Sequence, residues 1–156
     1  MELIPITRSG HPARPLNDCP DIVGRVLTAT ARRYDEVGHE APWIGYLAAE
    51  DGEPVGACGF TSPLRDHSVE IAFLTFPEHE GRGIATWMAQ RLIDIARNHD
   101  PTLAITAQTH PSRNASTKVL EKLGFHFSEE IDQPNDGTAW KWKLEQPPPM
   151  PPDQGE

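Results

Sequence analysis

The chain reads as one domain of the mixed α/β layer class, and three observations carry that reading. Short runs of strand character alternate with segments of helical periodicity in the order β-α-β-β-β-α-β-α-β-β. A Gly-rich turn, Glu80-Gly81-Arg82-Gly83, stands between a strand and the strongest helix. At 156 residues the chain has room for one core rather than two.

Glu2 to Thr7 is the first expected strand, and the Pro-, Gly- and Asp-rich residues 8 to 20 are a loop. Asp21 is placed to cap a helix whose apolar stripe is Ile22, Val26, Leu27 and Thr30. Trp43 to Ala49 and Pro54 to Thr61 flank Glu50-Asp51-Gly52-Glu53, the pattern of a β-hairpin. Ser68 to Phe76 is the next strand. After the Gly-rich turn, Ile84, Trp87, Met88, Leu92 and Ile95 mark one face of a helix that Asn98-His99-Asp100-Pro101 stops. Thr102 to Thr106 alternates as a strand, and Asn114 to Leu123 is a helix closed by Gly124. Phe125 to Ser128 and Thr138 to Leu144 complete the sheet around a loop containing Asn135-Asp136-Gly137. The domain is expected to span residues 1–145. Residues 146–156, led by Pro147-Pro148-Pro149, form a Pro-rich tail that can build neither a ladder nor a helix.

A net charge of −9 argues against a nucleic-acid binder that relies on bulk attraction to phosphate, so an anionic ligand must be held by local geometry. Cys19 and Cys58 are too few for a disulfide framework and lack metal-ligand spacing, which fits reduced thiols and a cytoplasmic location. No His/Cys/Asp/Glu set has metal spacing, so no metal is expected. No apolar run approaches the roughly 20 residues of a membrane helix. Met1-Glu2-Leu3-Ile4-Pro5 lacks a basic start followed by an apolar stretch, so no signal peptide is expected.

The position of the Gly-rich turn gives it chemical meaning. Its glycines let backbone pass close to a ligand, and the first helical N–H groups have no internal partners. Free donors at the positive end of a helix dipole suit a pyrophosphate. The turn is neither a P-loop, since Ile84 follows Gly83, nor a dinucleotide fingerprint, since Thr86 stands where a third glycine is needed.

The spacing of Glu80 through Ala85 resembles the Gln/Arg-x-x-Gly-x-Gly/Ala turn of GNAT superfamily acetyltransferases. Val69-Glu70-Ile71-Ala72-Phe73 resembles the family's fourth strand. Thr109 through Phe125, with Pro111-Ser112-Arg113-Asn114-Ala115-Ser116-Thr117, resembles its fifth strand end and the helix after it. Trp140-Lys141-Trp142 resembles the closing strand of a bacterial branch that includes ribosomal-protein and N-terminal acetyltransferases.

The resemblance implies a mixed, mostly antiparallel sheet flanked by helices and splayed between strands 4 and 5. It implies acetyl-CoA as cosubstrate, its pantetheine arm along the backbone of Phe73 and Thr75 and its pyrophosphate on the amides of Gly81, Arg82, Gly83, Ile84, Ala85 and Thr86. Asn114 would border the arm. The reaction implied is N-acetylation by direct attack in a ternary complex, the acceptor being a small-molecule amine or a protein N-terminus. Glu70 is the candidate base and Ser116 the candidate acid, because the tyrosine that many members place on the helix is absent. The only tyrosines are Tyr34 and Tyr46. The family's Gln or Arg is replaced by Glu80, expected to point outward.

Other readings stand beside this. His67 and His110 flank the site in sequence and could titrate near neutral pH, but in a chain with seven histidines each is read first as a surface or loop residue. Trp140 and Trp142 share a strand face, which suits sheet packing, an acceptor pocket or a homodimer contact. A CoA-sensing or scaffold domain without turnover is the second function class. Modification of aminoacyl-tRNA would need a basic docking face that this acidic chain does not advertise. The acceptor surface is assigned to residues 8 to 42 and 129 to 137.

Overall fold

The computed structural model describes residues 1–17, 19–134 and 137–144. The strands are β1 (Glu2–Pro5), β2 (Gly45–Glu50), β3 (Glu53–Phe60), β4 (Ser68–Thr75), β5 (Ala104–Thr109), β6 (His126–Gln133) and β7 (Gly137–Leu144). The helices are α1 (Asp21–Val37), α2 (Ile84–His99) and α3 (Ala115–Lys122), with a single 3-10 turn at Pro77–His79. The element order is the one expected from the sequence.

All seven strands form one sheet in the order β1-β2-β3-β4-β5-β7-β6. Neighbours are antiparallel except β4 and β5, which run parallel over only four pairs, from Ser68↔Ala104 to Ile71↔Ala107. Beyond Ile71 the two strands part. Ala72 to Thr75 stay paired with β3 alone, and Gln108 and Thr109 with β7 alone.

α2 packs its stripe of Ile84, Met88, Leu92 and Ala96, all buried, on one face of the sheet beside Ile71 and Val69. The opposite face carries α1. Its register differs from the expectation, because Val23 and Tyr34 are its buried residues while Val26, Leu27 and Thr30 are half-buried. The Tyr34 hydroxyl fixes the helix by donating to Ile6 O at 2.8 Å and accepting from Gly45 N at 2.9 Å. Asp21 does not cap α1. Pro20 holds that position and no side chain caps it, so Asp21 acts only as an acidic residue in the first turn.

Two strand boundaries move. β5 begins and ends later than Thr102 to Thr106, because Asp100 takes the Thr102 N–H and hydroxyl into a turn at 2.9 and 2.6 Å. β6 extends to Gln133, because its ladder with β7 continues past Ser128 through a bulge to Gln133↔Gly137. β1 is shorter than Glu2 to Thr7, although Ile6 still bridges Pro12. The 50–53 hairpin forms as expected, with Asp51 at φ 53° and Gly52 at φ 82°, the paired left-handed residues of a tight turn. Asn135, Asp136 and the Pro-rich tail lie outside the described residues. No helix among the described residues is long and apolar enough to cross a membrane.

Candidate active site

The parting of β4 and β5 creates the first binding element. Thr61 N donates to Glu70 O at 2.9 Å and Phe76 N to Val55 O at 3.0 Å, so the even-numbered residues of β4 turn their backbone groups toward β3. The odd-numbered residues therefore turn theirs toward β5. For Val69 and Ile71 a β5 partner is present; for Phe73 and Thr75 it has diverged. Their amide and carbonyl groups face a gap in the middle of a sheet. Such groups are costly to leave unpaired, and their spacing suits an extended chain bearing amides.

Thr75 leads through Phe76 and the 3-10 turn to the second element. Gly81 and Gly83 stand at φ 80° and 79°, and a side chain on either would meet nothing within 4 Å. The left-handed geometry and the open space together leave the backbone bare at the start of α2. The amides of residues 81 to 86 donate to no acceptor among the described residues, and the first helical bond runs from Trp87 N to Gly83 O at 3.1 Å. Glu80 is exposed, as expected. Arg82 does not stand over the turn. Its Nη2 donates to Glu50 Oε1 at 2.6 Å and its Nη1 to His79 Nδ1 at 3.1 Å, which folds the guanidinium back onto the 50–53 hairpin. The Arg82 hydrogen bond and charge hold the Glu50 carboxyl below the ordinary carboxylate range. The backbone groups of both elements, a mid-sheet gap and a bare helix start, fit acetyl-CoA: an amide-bearing arm for the first and a pyrophosphate for the second.

The catalytic candidates sit where the strands part. Glu70 is half-buried on β4, opposite Thr106 and one residue before the last β4–β5 pair. It shares its face with Ala72 and Leu74, as alternation requires. Its Oε1 accepts from Gln108 Nε2 at 3.1 Å, and Gln108 Oε1 accepts from Gln133 Nε2 at 2.7 Å. Gln108 and Gln133 were not singled out as site residues, although Gln133 lies in the 129 to 137 segment assigned to the acceptor surface. The alternating run Thr102 to Thr106 stopped short of Gln108; on the observed strand Gln108 alternates onto the Glu70 face.

Gln108 and Gln133 also line a cleft of about 450 Å³ with His110, Asn114 and Ser116. Ser116 is half-buried in the first turn of α3, which brings it into the cleft reached by the Glu70 chain of amides. Asn114 caps α3: its Oδ1 accepts from Thr117 N at 3.1 Å while Thr117 Oγ1 accepts from Asn114 N at 2.9 Å. Its side-chain oxygen is thus spent on the helix, and its Nδ2 makes no hydrogen bond among the described residues.

Other candidates fall away from the chemistry. His67 lies before β4, at the end opposite the gap, bonded to Thr102 Oγ1 at 2.7 Å. The Tyr34 hydroxyl belongs to the fold, and the Tyr46 hydroxyl donates to Pro42 O at 2.8 Å, with burial pushing its pKa up to about 12. Burial likewise pushes the Cys58 thiol up, so it is no nucleophile. Trp142 is 2% exposed and donates to Thr109 Oγ1 at 3.0 Å, a packing role, with Trp140 half-buried beside it. No metal-holding group of His, Cys, Asp or Glu occurs among the described residues.

Residues 16 to 126, well over half of the chain, match the family model described as an acetyltransferase (GNAT) domain. The uncharacterized N-acetyltransferase YjdG of Bacillus subtilis (strain 168) is 36% identical over 84 residues, which cover 53% of this chain and 49% of that protein. The chain spans about half the length of the curated relatives it matches. Among solved structures, yncA of Salmonella typhimurium, determined with its cofactor acetyl-CoA, superposes with a TM-score of 0.61 at 22% identity, covering 96% of this chain and 89% of its own. The ribosomal-protein-S18-alanine N-acetyltransferase of Escherichia coli superposes with a TM-score of 0.60 at 13% identity, covering 77% and 76%.

Proposed function

Since this chain belongs to the GNAT acetyltransferase family, we propose that it is an N-acetyltransferase that binds acetyl-CoA between β4 and β5 and acts on an amine. The observation that carries the proposal is the pair of unspent backbone surfaces, Phe73 and Thr75 in the gap and residues 81 to 86 at the start of α2. Acetyl-CoA supplies an activated acetyl thioester, from which the amine displaces CoA: an N–C bond forms as C–S breaks, nitrogen loses a proton and sulfur gains one.

The residues of the chain hold the arm and move protons. Phe73 and Thr75 offer alternating donors and acceptors, and the amides of Gly81 through Thr86 face the pyrophosphate. Backbone binding accounts for how a chain of net charge −9 holds a polyanion. Glu70 accepts the amine's proton, and Gln108 Nε2 fixes its carboxylate. Ser116 faces the cleft as the donor to sulfur. Asn114 borders the arm through Nδ2. The acceptor is a small amine or a protein N-terminus.

Acetyl-CoA should raise the melting temperature, by about 2.7 kcal/mol of stability at 100 times its dissociation constant. Glu70→Gln should cut thiol release with an amine acceptor by about 10²- to 10⁴-fold at neutral pH. Higher pH should restore part of it, because more amine then arrives neutral. Unchanged melting in millimolar acetyl-CoA would refute the cosubstrate, and wild-type turnover by Glu70→Gln would refute the base. A CoA sensor would bind acetyl-CoA and release no thiol with any amine.

A further inference from the structure

The Glu70 face of the sheet carries a second cavity. It lies between α1 and strands β3 and β4 and has a volume of about 300 Å³. Val26 and Ala29 of α1 form its roof, and Ala57, Ala72 and Leu74 its floor. The lining is mostly apolar, and Leu74, one residue before the end of β4, is 48% exposed. The volume is at the small end for ligand sites, enough for a single small molecule.

One cation stands at this cavity. Arg33 follows Ala29 by one helical turn and lines the same space. It is exposed, and it forms no ion pair with any carboxylate among the described residues. Its only hydrogen bond among the described residues runs from Nη1 to Thr61 O at 3.4 Å, long and weak for a charged donor. Thr61 also donates through its N–H to Glu70 O at 2.9 Å. A single residue therefore joins the free guanidinium to the strand position of the candidate base. The cavity presents an aliphatic wall, a cation at its rim and the Glu70 carboxylate on the same sheet face. Like most basic residues of the chain, Arg33 meets no carboxylate among the described residues; what sets it apart is its place on the lining of an apolar cavity, where its guanidinium can meet an outside anion.

We propose that the acceptor is a small apolar aminocarboxylate, its carboxylate held by the Arg33 guanidinium, its aliphatic body on Ala72 and Leu74, and its amine toward Glu70. This inference rests on the acetyl-transfer reading and narrows it from amines in general to amines that carry an acid. Arginine suits the task because its fork meets both carboxylate oxygens, which a lysine at the same place would not. A peptide N-terminus, which has an amide where the free acid would be, would leave Arg33 unpaired.

The test uses acid and neutral twins: L-leucine against L-leucinol, and 6-aminohexanoate against hexylamine. Titration calorimetry with CoA-saturated protein measures their binding, and thiol release from acetyl-CoA measures turnover. Wild type should favour the acid of at least one pair by about 10- to 100-fold, the range of a hydrogen-bonded charge pair. Arg33→Met, which keeps the aliphatic stem on an exposed helix face, should abolish the preference. Arg33→Lys should restore part of it.

Equal affinity within both pairs, no binding of either acid at millimolar concentration, or a preference that survives in Arg33→Met would each overturn the proposal. Tighter binding of both neutral twins would point to a peptide N-terminus and overturn it equally. Failure of the acetyl-transfer reading looks different: acetyl-CoA would then neither stabilise the protein nor release thiol with any amine.

Discussion

Replacing Gly83 separates backbone geometry from charge at the start of α2. Gly83 stands at φ 79°, and a Cβ there would meet no atom within 4 Å. Gly83→Ala therefore costs only the left-handed strain of an L-residue, about 1 to 2 kcal/mol. That corresponds to a melting temperature lower by roughly 2 to 8 °C in a domain of this size. Gly83→Asp pays a similar cost, partly offset because a carboxylate at the helix N-cap can accept from the same free amides. The two variants should both fold. They differ by one negative charge set where the pyrophosphate should lie. At about 5 Å, one pair of like charges costs about 1 kcal/mol in water and about 3 kcal/mol at an effective dielectric of 20. Acetyl-CoA affinity should thus fall by about 5- to 150-fold from Gly83→Ala to Gly83→Asp, and the difference should shrink in 0.5 M salt. Titration calorimetry at two salt concentrations, with thermal unfolding as the control for folding, reads it directly. A folded Gly83→Asp that binds within twofold of Gly83→Ala would place the phosphates elsewhere.

Further expectations concern side chains that only the structure brought together. Gln108→Leu removes the donor to Glu70 and the link to Gln133 at similar volume; turnover should fall about tenfold with acetyl-CoA affinity unchanged. Wild-type turnover in steady-state thiol release would remove Gln108 from the site. Glu50→Gln frees Arg82 and removes a negative charge near the turn, so acetyl-CoA should bind several-fold tighter at low salt in calorimetry. Since Arg82 holds Glu50 below the ordinary carboxylate range, wild type keeps the pair as pH falls through that range and loses it only below. The affinity gap to Glu50→Gln should therefore persist in mild acid. Tyr34→Phe leaves Ile6 O and Gly45 N without their buried partner, which should cost about 1 to 3 kcal/mol in chemical denaturation.

The amino-acid sequence by itself determined the element order, the bare turn before α2, the helix after Asn114 and the 50–53 hairpin. These depend on residues within a few positions of one another: an apolar period of 3.6, a glycine at positive φ, a side chain that reaches the next turn's amide. The Glu70 face was legible for the same reason, since alternation along one strand is local. The tertiary structure alone decided that β7 enters between β5 and β6 and that the pairing of β4 with β5 stops after Ile71; the splay itself and a fifth strand ending near Thr109 were already implied by the family resemblance. It also tied Arg82 to Glu50, left Arg33 without a carboxylate among the described residues, and joined Glu70, Gln108 and Gln133, residues separated by 38 and 25 positions. Such pairings are set by which strand wins each edge and by which polar groups burial leaves to be matched. No short window of sequence contains both partners, so the link from Glu70 through Gln108 to Gln133 becomes visible only once the sheet has closed around it.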